Sequence, residues 1–310
     1  MSSVIIARGL NKAYGETTAV VDLSFEVDAG TVLGLLGPNG AGKTTTIKML
    51  TTLLPIDGGS ASVAGFDVAG RPDAVRRVIG VAGQSAAVDD KLTARENLEL
   101  FARLYKIPKM KRTARIEELI ERFDLGEFAD RVAGTFSGGQ RRRLDVVAAL
   151  VASPPAIFLD EPTTGLDPRS RKELWAEIRS MADAGAAVVL TTQYLDEADR
   201  LSDRIVIIDR GRVVAEGTGH ELKRDLDRDV LEVHLADQAD LERAAGLVDV
   251  GGSAAGIDAS QNLLAVQLAG GSAQGLDVLR RLEAEGIAIE DFQFRRPTLD
   301  DVFLTHTARR

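Results

Sequence analysis

Cysteine is absent from all 310 residues, so no disulfide can staple the fold and nothing here needs an oxidising compartment. Long apolar runs are missing too. Stretches such as VVAALVA (Val146 to Ala152) fall far short of the roughly 20 residues that a helix needs to span hydrocarbon, so no membrane-crossing helix is expected. The N-terminal MSSVIIARGLNKAYG has no basic segment leading into an apolar stretch and no small-residue cleavage pattern, from which a cytosolic chain without an export signal is expected. An excess of cations is also lacking: 38 Lys and Arg against 47 Asp and Glu leave a formal charge of −9. Such a surface gains little from counterion release, which argues against a nucleic-acid partner. One local basic run, Lys106, Lys109, Lys111 and Arg112, reads as a solvated loop or a contact with anionic lipid.

What is present is apolar content of 45%, enough for one large core and a smaller satellite domain. The most informative stretch is LLGPNGAGKTTTIKML (Leu35 to Leu50), where an apolar strand, Val32 to Leu36, meets a glycine-rich turn and then a helical pattern. It fits GxxxxGK[ST] in full. Glycines at 37, 40 and 42 let the backbone curl with its N–H groups inward, making a nest for a β-phosphate at a helix N-terminus. Lys43 then reaches the β- and γ-phosphates, and the Thr44 hydroxyl is placed to ligate Mg²⁺. This motif alone specifies a nucleoside triphosphate.

A second apolar run, AIFLDEP (Ala156 to Pro162), reads as a strand buried on both faces that ends in two acids. Ligands of open α/β sheets gather at such carboxyl ends. Asp160 is suited to hold Mg²⁺ through a water, and Glu161 to orient and deprotonate the water that attacks the γ-phosphate. Between the two motifs, FSGGQRRRL (Phe136 to Leu144) sets a hydroxyl and two glycines before a helical run. Ser137, Gly138 and Gly139 offer donors at a helix N-terminus, which is either a second anion site or an ordinary loop.

Taken in order, these residues resemble an ABC-family ATPase over about residues 4 to 220. Tyr14 in KAYG matches the aromatic that stacks on adenine. GPNGAGKTT, with Gly37, Asn39, Gly40, Ala41, Gly42, Lys43, Thr44 and Thr45, matches the Walker A loop. Gln84 in VAGQ matches the glutamine that senses Mg²⁺ and the water. FSGGQ, with Ser137, Gly138, Gly139 and Gln140, is similar to the family signature, Phe136 standing for the usual leucine. FLDEP resembles Walker B with its catalytic glutamate, and GLDP, carrying Asp167, resembles the loop through which two such domains touch. Read singly, Tyr14 is also a core residue, Gln84 a strand-end polar group and Asp167 a helix start. The resemblance implies a P-loop NTPase of the ABC type, an α/β nucleotide-binding domain with a helical subdomain. It further implies ATP and Mg²⁺ as cofactors and a head-to-tail homodimer in which Lys43 of one subunit faces Ser137 of the other. Integral membrane subunits would be the other partners, holding the chain at the cytoplasmic face of the membrane.

In VVLTTQYLDEADR (Val188 to Arg200) a strand ends at Gln193, where the family usually has histidine. An amide can still donate a hydrogen bond to a γ-phosphate oxygen, without charge; the alternative is a polar strand end. Together with RRPTLDDVFLTHT (Arg295 to Thr307), this stretch is similar to ATPases of the daunorubicin/doxorubicin resistance type, which drive drug exporters. The exported compound does not follow, because it would contact membrane subunits rather than this chain.

The expected division is 1–227 for the nucleotide-binding domain, with a helical insert at about 86–153, and 228–310 for an accessory α+β domain. In the insert, Leu98, Leu100, Phe101 and Leu104 form one core stripe, and Ile116, Leu119, Ile120 and Phe123 another. After residue 227 the pattern strand, helix, two strands, helix, strand resembles a split βαβ, ferredoxin-like unit. A final helix starts at Thr298 and Asp301. Its role is open between regulation, dimer support and stabilisation. The competing function is a mechanochemical ABC ATPase acting on chromosomes or ribosomes. Against it, only a short stretch without sustained heptads separates Gln84 from Ser137, and there is a single phosphate loop.

Overall fold

Buried apolar side chains alternate with open polar ones along β1 (Ser3–Tyr14) and β2 (Thr17–Asp28), which pair antiparallel. In this computed structural model, residues 3–83, 87–224, 229–248, 255–268 and 271–307 are described. Gln84 lies outside the described residues. Chain contacts divide into two units, 1–219 and 220–310, a few residues before the boundary expected from the change of element pattern after residue 227.

In the first unit the elements continue as β3 (Val32–Leu36), α1 (Lys43–Leu50), β4 (Gly58–Val63), β5 (Phe66–Asp67), α2 (Pro72–Arg76) and β6 (Ile79–Ala82). The insert supplies α3 (Ala94–Leu104), α4 (Lys109–Arg122) and α5 (Gly138–Ala149). Then follow β7 (Ala156–Asp160), α6 (Pro168–Asp183), β8 (Ala187–Thr192), α7 (Leu195–Leu201), β9 (Arg204–Asp209) and β10 (Arg212–Gly217). Helix α8 (Gly219–Arg224) starts at the boundary, and all but its first residue belongs to the second unit.

Six strands make a central sheet in the order β10-β9-β3-β8-β7-β6, parallel apart from β10. Strands β3, β7 and β8 are buried at every position, which is why they read as unbroken apolar runs. On one face, Phe158 and Leu35 pack with Ile5, Leu23 and Phe25 of the antiparallel sheet β2-β1-β4-β5. On the other, Ile157 and Leu159 pack with Leu98, Leu119, Val146 and Ile178 of the helices. The α4 stripe at Ile116, Leu119, Ile120 and Phe123 is buried as expected. The α3 stripe is not. Leu98 is fully buried, but Leu104 is 66% exposed, because the face that meets the core runs through Ala94, Asn97, Leu98 and Ala102 and leaves Leu100 and Leu104 to one side.

The second unit adds β11 (Asp229–Leu235), α9 (Leu241–Val248), β12 (Gly256–Asp258), β13 (Leu263–Leu268), α10 (Gly271–Ala284), β14 (Ile289–Arg295) and α11 (Leu299–Thr307). Its antiparallel sheet runs β12-β13-β11-β14, the order that a split βαβ chain path generates. Leu231, Val233, Leu264 and Val266 pack there against Ala244, Val278 and Leu282. Asp301 accepts from the Thr298 N–H at 2.7 Å and from the Thr298 hydroxyl at 3.0 Å, which fixes the start of α11.

Candidate nucleotide site at the carboxyl edge of the central sheet

Strand β3 delivers the chain to the loop 37–42, and register puts its last residue, Leu36, beside Thr192 of β8 and Ile207 of β9. Gly42 has φ 106°, and a Cβ there would sit 2.5 Å from the Ala19 carbonyl oxygen, so only glycine lets the loop close onto α1. A Cβ on Gly37 would meet the Ile208 carbonyl oxygen at 2.3 Å. Lys43, the first residue of α1, is buried and donates to the carbonyls of Gly37 (2.7 Å) and Pro38 (3.1 Å). Its ammonium lies 3.6 Å from the Glu161 carboxylate. Burial pushes the Lys43 ammonium down from its ordinary range, while the charges of Glu161 and then Asp160 oppose that shift.

One strand separates β3 from β7, so the two acids ending β7 reach the same edge. Thr44 donates to Asp160 at 3.1 Å, and Thr191, the register partner of Asp160 on β8, donates to the same oxygen at 2.6 Å. A hydroxyl and a carboxylate in contact, with phosphate oxygens to complete the shell, form the all-oxygen donor set that suits Mg²⁺. Among the described residues no cluster of three or more His, Cys, Asp or Glu side chains is placed to hold a metal. A substrate-assisted Mg²⁺ site needs none.

Glu161 takes φ 49°, a left-handed backbone that costs a non-glycine residue on the order of 1–3 kcal/mol unless its surroundings hold it. They do hold it. Its N–H donates to the Thr191 carbonyl (3.2 Å) and hydroxyl (3.0 Å). Arg142 of α5 donates to the carbonyls on either side, Asp160 (3.0 Å) and Pro162 (2.8 Å). The same guanidinium bonds the Gly83 carbonyl and pairs with Asp145 at 3.2 Å, while Asp145 accepts from the Ala87 N–H at 2.7 Å. Arg142 and Asp145 are both buried. Burial drives the arginine down and the aspartate up, each shift opposed by the partner's charge. Neither was picked out by sequence, since QRRRLD on a helix reads as a solvated charged face; only the periodicity of Leu144, Val146 and Val147 on the same helix hints at burial.

The remaining expected residues fall into two groups. Asn39, Gly40, Ala41 and Thr45 belong to the loop and first turn beside Lys43, and Gln193 follows Thr192 at the end of β8. Gln193 is half-buried, and its amide makes no hydrogen bond among the described residues. Tyr14, at the end of β1, is 48% exposed with Lys12 5.9 Å from its ring centre, so it is no core residue.

Ser137, Gly138, Gly139 and Gln140 open α5 with a reciprocal cap. The Ser137 hydroxyl accepts from the Gln140 N–H at 3.2 Å, and the Gln140 side chain accepts from the Ser137 N–H at 3.1 Å. Ser137 and Gly138 are exposed, and among the described residues no hydrogen bond joins this turn to the phosphate loop. Phe136 packs edge-on against Phe128 at 5.1 Å, which explains an aromatic before the serine. Asp167 caps α6, accepting from the N–H groups of Arg169 (3.0 Å) and Ser170 (3.1 Å) and from the Ser170 hydroxyl (2.6 Å). These bonds hold its carboxyl below the usual carboxylate range.

A groove of about 690 Å³ opens between the core and the insert, lined by Leu53, Ile79, Phe101 and Leu104 together with Arg77, Lys106 and the Arg76–Asp73 ion pair. Leu53 is 67% exposed. Strand β6 runs from this groove toward Gly83.

Residues 20–164 match the ABC transporter family, and residues 217–307 match the C-terminal domain of DrrA1-3-like ATP-binding proteins. The daunorubicin resistance ATP-binding protein DrrA2 of Streptomyces coeruleorubidus is 46% identical over 305 residues, 98% of this chain and 95% of the relative. The daunorubicin/doxorubicin resistance ATP-binding protein DrrA of Streptomyces peucetius is 48% identical over 300 residues, 96% and 91% of the two chains. Among solved structures, an ATP-binding subunit of an ABC transporter superposes with TM-score 0.66 at 31% identity, over 72% of this chain and 93% of that one. A dimeric ATP-binding cassette in a post-hydrolysis state, bound to ADP and Pi, gives TM-score 0.63 at 25% identity, over 69% and 98%. Relatives that span nearly the whole chain are resistance ATP-binding proteins, which sets aside the chromosomal or ribosomal alternative. The chain therefore belongs to the ATP-binding subunits of ABC transporters, in the daunorubicin/doxorubicin resistance branch, and is an ATP hydrolase that works with Mg²⁺.

Proposed function

We propose that this subunit powers export of a drug-like, lipophilic compound through separate integral membrane subunits, acting as a head-to-tail homodimer at the cytoplasmic face of the membrane. The observation that carries the reading is likeness to daunorubicin and doxorubicin resistance proteins that continues through the C-terminal unit. Among the described residues no helix is long and apolar enough to cross a membrane, so transport requires a partner that does. The apolar groove at Leu53 and Leu104, with Arg77 and Lys106 in its lining beside the Arg76–Asp73 pair, suits a short amphipathic segment of that partner carrying acids at its edge. No nucleic-acid partner is proposed.

In the hydrolytic step, the phosphate loop 37–42 would cradle the β-phosphate while Lys43 turns from the Glu161 carboxylate to the γ-phosphate. Thr44 and Asp160 would hold Mg²⁺, which spreads the developing charge over the phosphate oxygens; Gln84 is proposed to join them. Glu161 would take a proton from the attacking water as its oxygen bonds to phosphorus and the bond to ADP breaks. Tyr14 would stack on the adenine, Asp167 would lie at the dimer contact, and Ser137, Gly138, Gly139 and Gln140 of the second subunit would close over the γ-phosphate. That arrangement is supported by the exposure of Tyr14, Asp167, Ser137 and Gly138 in the single chain.

The proposal is tested in inside-out vesicles carrying this chain with its membrane subunits, by following ATP-dependent uptake of daunorubicin as probe. Uptake should require ATP and vanish with Glu161→Gln. ATP hydrolysis without uptake of daunorubicin or of any other lipophilic drug-like probe would remove the proposed substrate class. In the same preparation, Gln193→Ala should lower turnover roughly 10²-fold if its amide donates to the γ-phosphate. Gln193→His should stay active and gain a pH dependence near its reference pKa of about 6.5, where the imidazole charges. An alanine variant as fast as wild type from pH 5.5 to 8.5 would leave Gln193 as a polar strand end.

A further inference from the structure

We infer that Arg142 is a positioning residue for hydrolysis: seated on Asp145, its guanidinium fixes the backbone turn that aims Glu161 at the water. The inference rests on Glu161 acting as the base. Glu161 sits in a left-handed conformation between two carbonyls, those of Asp160 and Pro162, and Arg142 holds both, at 3.0 and 2.8 Å. Rotating the Glu161 peptide toward an ordinary strand conformation would swing at least one carbonyl out of the fork. Thr191 holds the N–H of the same residue from the opposite side, at 3.0 Å through its hydroxyl. The turn is thus clamped from α5 and from β8.

Arginine suits this task and lysine does not. A guanidinium projects its donors in one plane at fixed angles, so satisfying several carbonyls at once orients all of them, whereas an ammonium is a rotating point donor. Asp145 supplies the opposite charge that keeps a buried guanidinium acceptable. It also ties in the segment holding Gln84, because Arg142 bonds the Gly83 carbonyl and Asp145 accepts from the Ala87 N–H. One ion pair therefore grips the chain on both sides of Gln84 and on both sides of Glu161.

It does so from α5, the helix that Ser137 caps.

The test uses the full-length chain with ATP and Mg²⁺, comparing wild type, Arg142→Lys, Asp145→Asn and Glu161→Gln. Rates are normalised to the fraction that binds ATP, and thermal midpoints are measured alongside. Arg142→Lys keeps the charge but loses the fork. Its kcat should fall about 10²-fold, the loss expected for a misplaced catalytic group, with KM for ATP within about twofold of wild type. Asp145→Asn keeps an acceptor for Ala87 and should lose about tenfold in kcat, again at constant KM. It carries the test if the lysine variant does not fold. If Arg142 only balances charge in the core, lysine will rescue it, the midpoint alone will move and kcat per folded molecule will stay at wild type, which overturns the inference. Should Glu161→Gln hydrolyse ATP normally, the base assignment fails first. Should Glu161→Gln be inactive while both other variants match wild type, the assignment stands and the positioning role falls.

Discussion

Replacing Glu161 by glutamine should abolish ATP turnover while ATP binding persists, trapping a closed dimer. The amide keeps the size of the side chain and an oxygen acceptor but does not take a proton from water, so the loss falls on the chemical step. ATP binding should persist or tighten, for a geometric reason. Lys43 lies 3.6 Å from the Glu161 carboxylate, so an arriving γ-phosphate competes with that carboxylate for the ammonium. Removing the negative charge removes both the competitor and a source of repulsion toward phosphate. Size-exclusion chromatography with ATP and Mg²⁺ should show the variant at twice the mass of the nucleotide-free chain, with turnover lowered at least about 10³-fold. A monomeric variant that hydrolyses at the parental rate would mean that another group is the base.

The parts of this site that sequence reveals are those built from consecutive residues. Loop 37–42 with Lys43 and Thr44 is legible because glycine spacing, lysine and hydroxyl all lie in one turn whose geometry is local. AIFLDE is legible because a strand buried on both faces has no polar alternation to hide its two terminal acids. Arg142 and Asp145 are different in kind. They sit in a run of charges on a helix that, seen alone, belongs in water, and only the packing of α5 against β6 and α3 makes them interior. Leu104 fails in the opposite sense: its spacing from Leu98 and Phe101 suggests burial, but the buried face runs through Ala94, Leu98 and Ala102 and leaves Leu104 to one side. Small residues such as Ala94 and Ala102 mark that face as much as leucines do, so a stripe read from the large residues alone is displaced around the helix. Asp167 was legible both as a helix start and as a contact residue; its three cap bonds within α6 account for the first use.

Lys43→Ala and Ser137→Ala should each abolish steady-state hydrolysis when purified alone, for different reasons, and should complement each other when mixed. Lys43 is buried, donates to two loop carbonyls and faces Glu161, so its loss leaves the loop without the cation that meets the γ-phosphate. Binding of ATP to the isolated chain should weaken by at least about tenfold, since a charge-assisted hydrogen bond contributes roughly 1.5–3 kcal/mol. Ser137 is exposed at the start of α5, and among the described residues its bonds run within its own turn, to Gln140 and to the Arg141 N–H. Its hydroxyl proton is free for a phosphate that its own chain does not bring. Ser137→Ala should therefore leave ATP binding to the isolated chain unchanged and block closure over the nucleotide. In a head-to-tail dimer each site takes Lys43 from one subunit and Ser137 from the other. A heterodimer of the two variants concentrates both lesions in one site and leaves the second intact. A 1:1 mixture forms such heterodimers half of the time at random assortment, so roughly a quarter of wild-type activity should return if the two sites fire independently. Titrating one variant into the other at constant total protein should give a maximum at equal amounts. If activity stays at zero at every ratio while mixed dimers are demonstrated by differential tagging, either the two sites must fire together or Ser137 and Lys43 do not share a nucleotide. Mixing Ser137→Ala with wild type separates these cases: obligatory joint firing makes every mixed dimer inactive, whereas independent sites lose activity in linear proportion to the variant added.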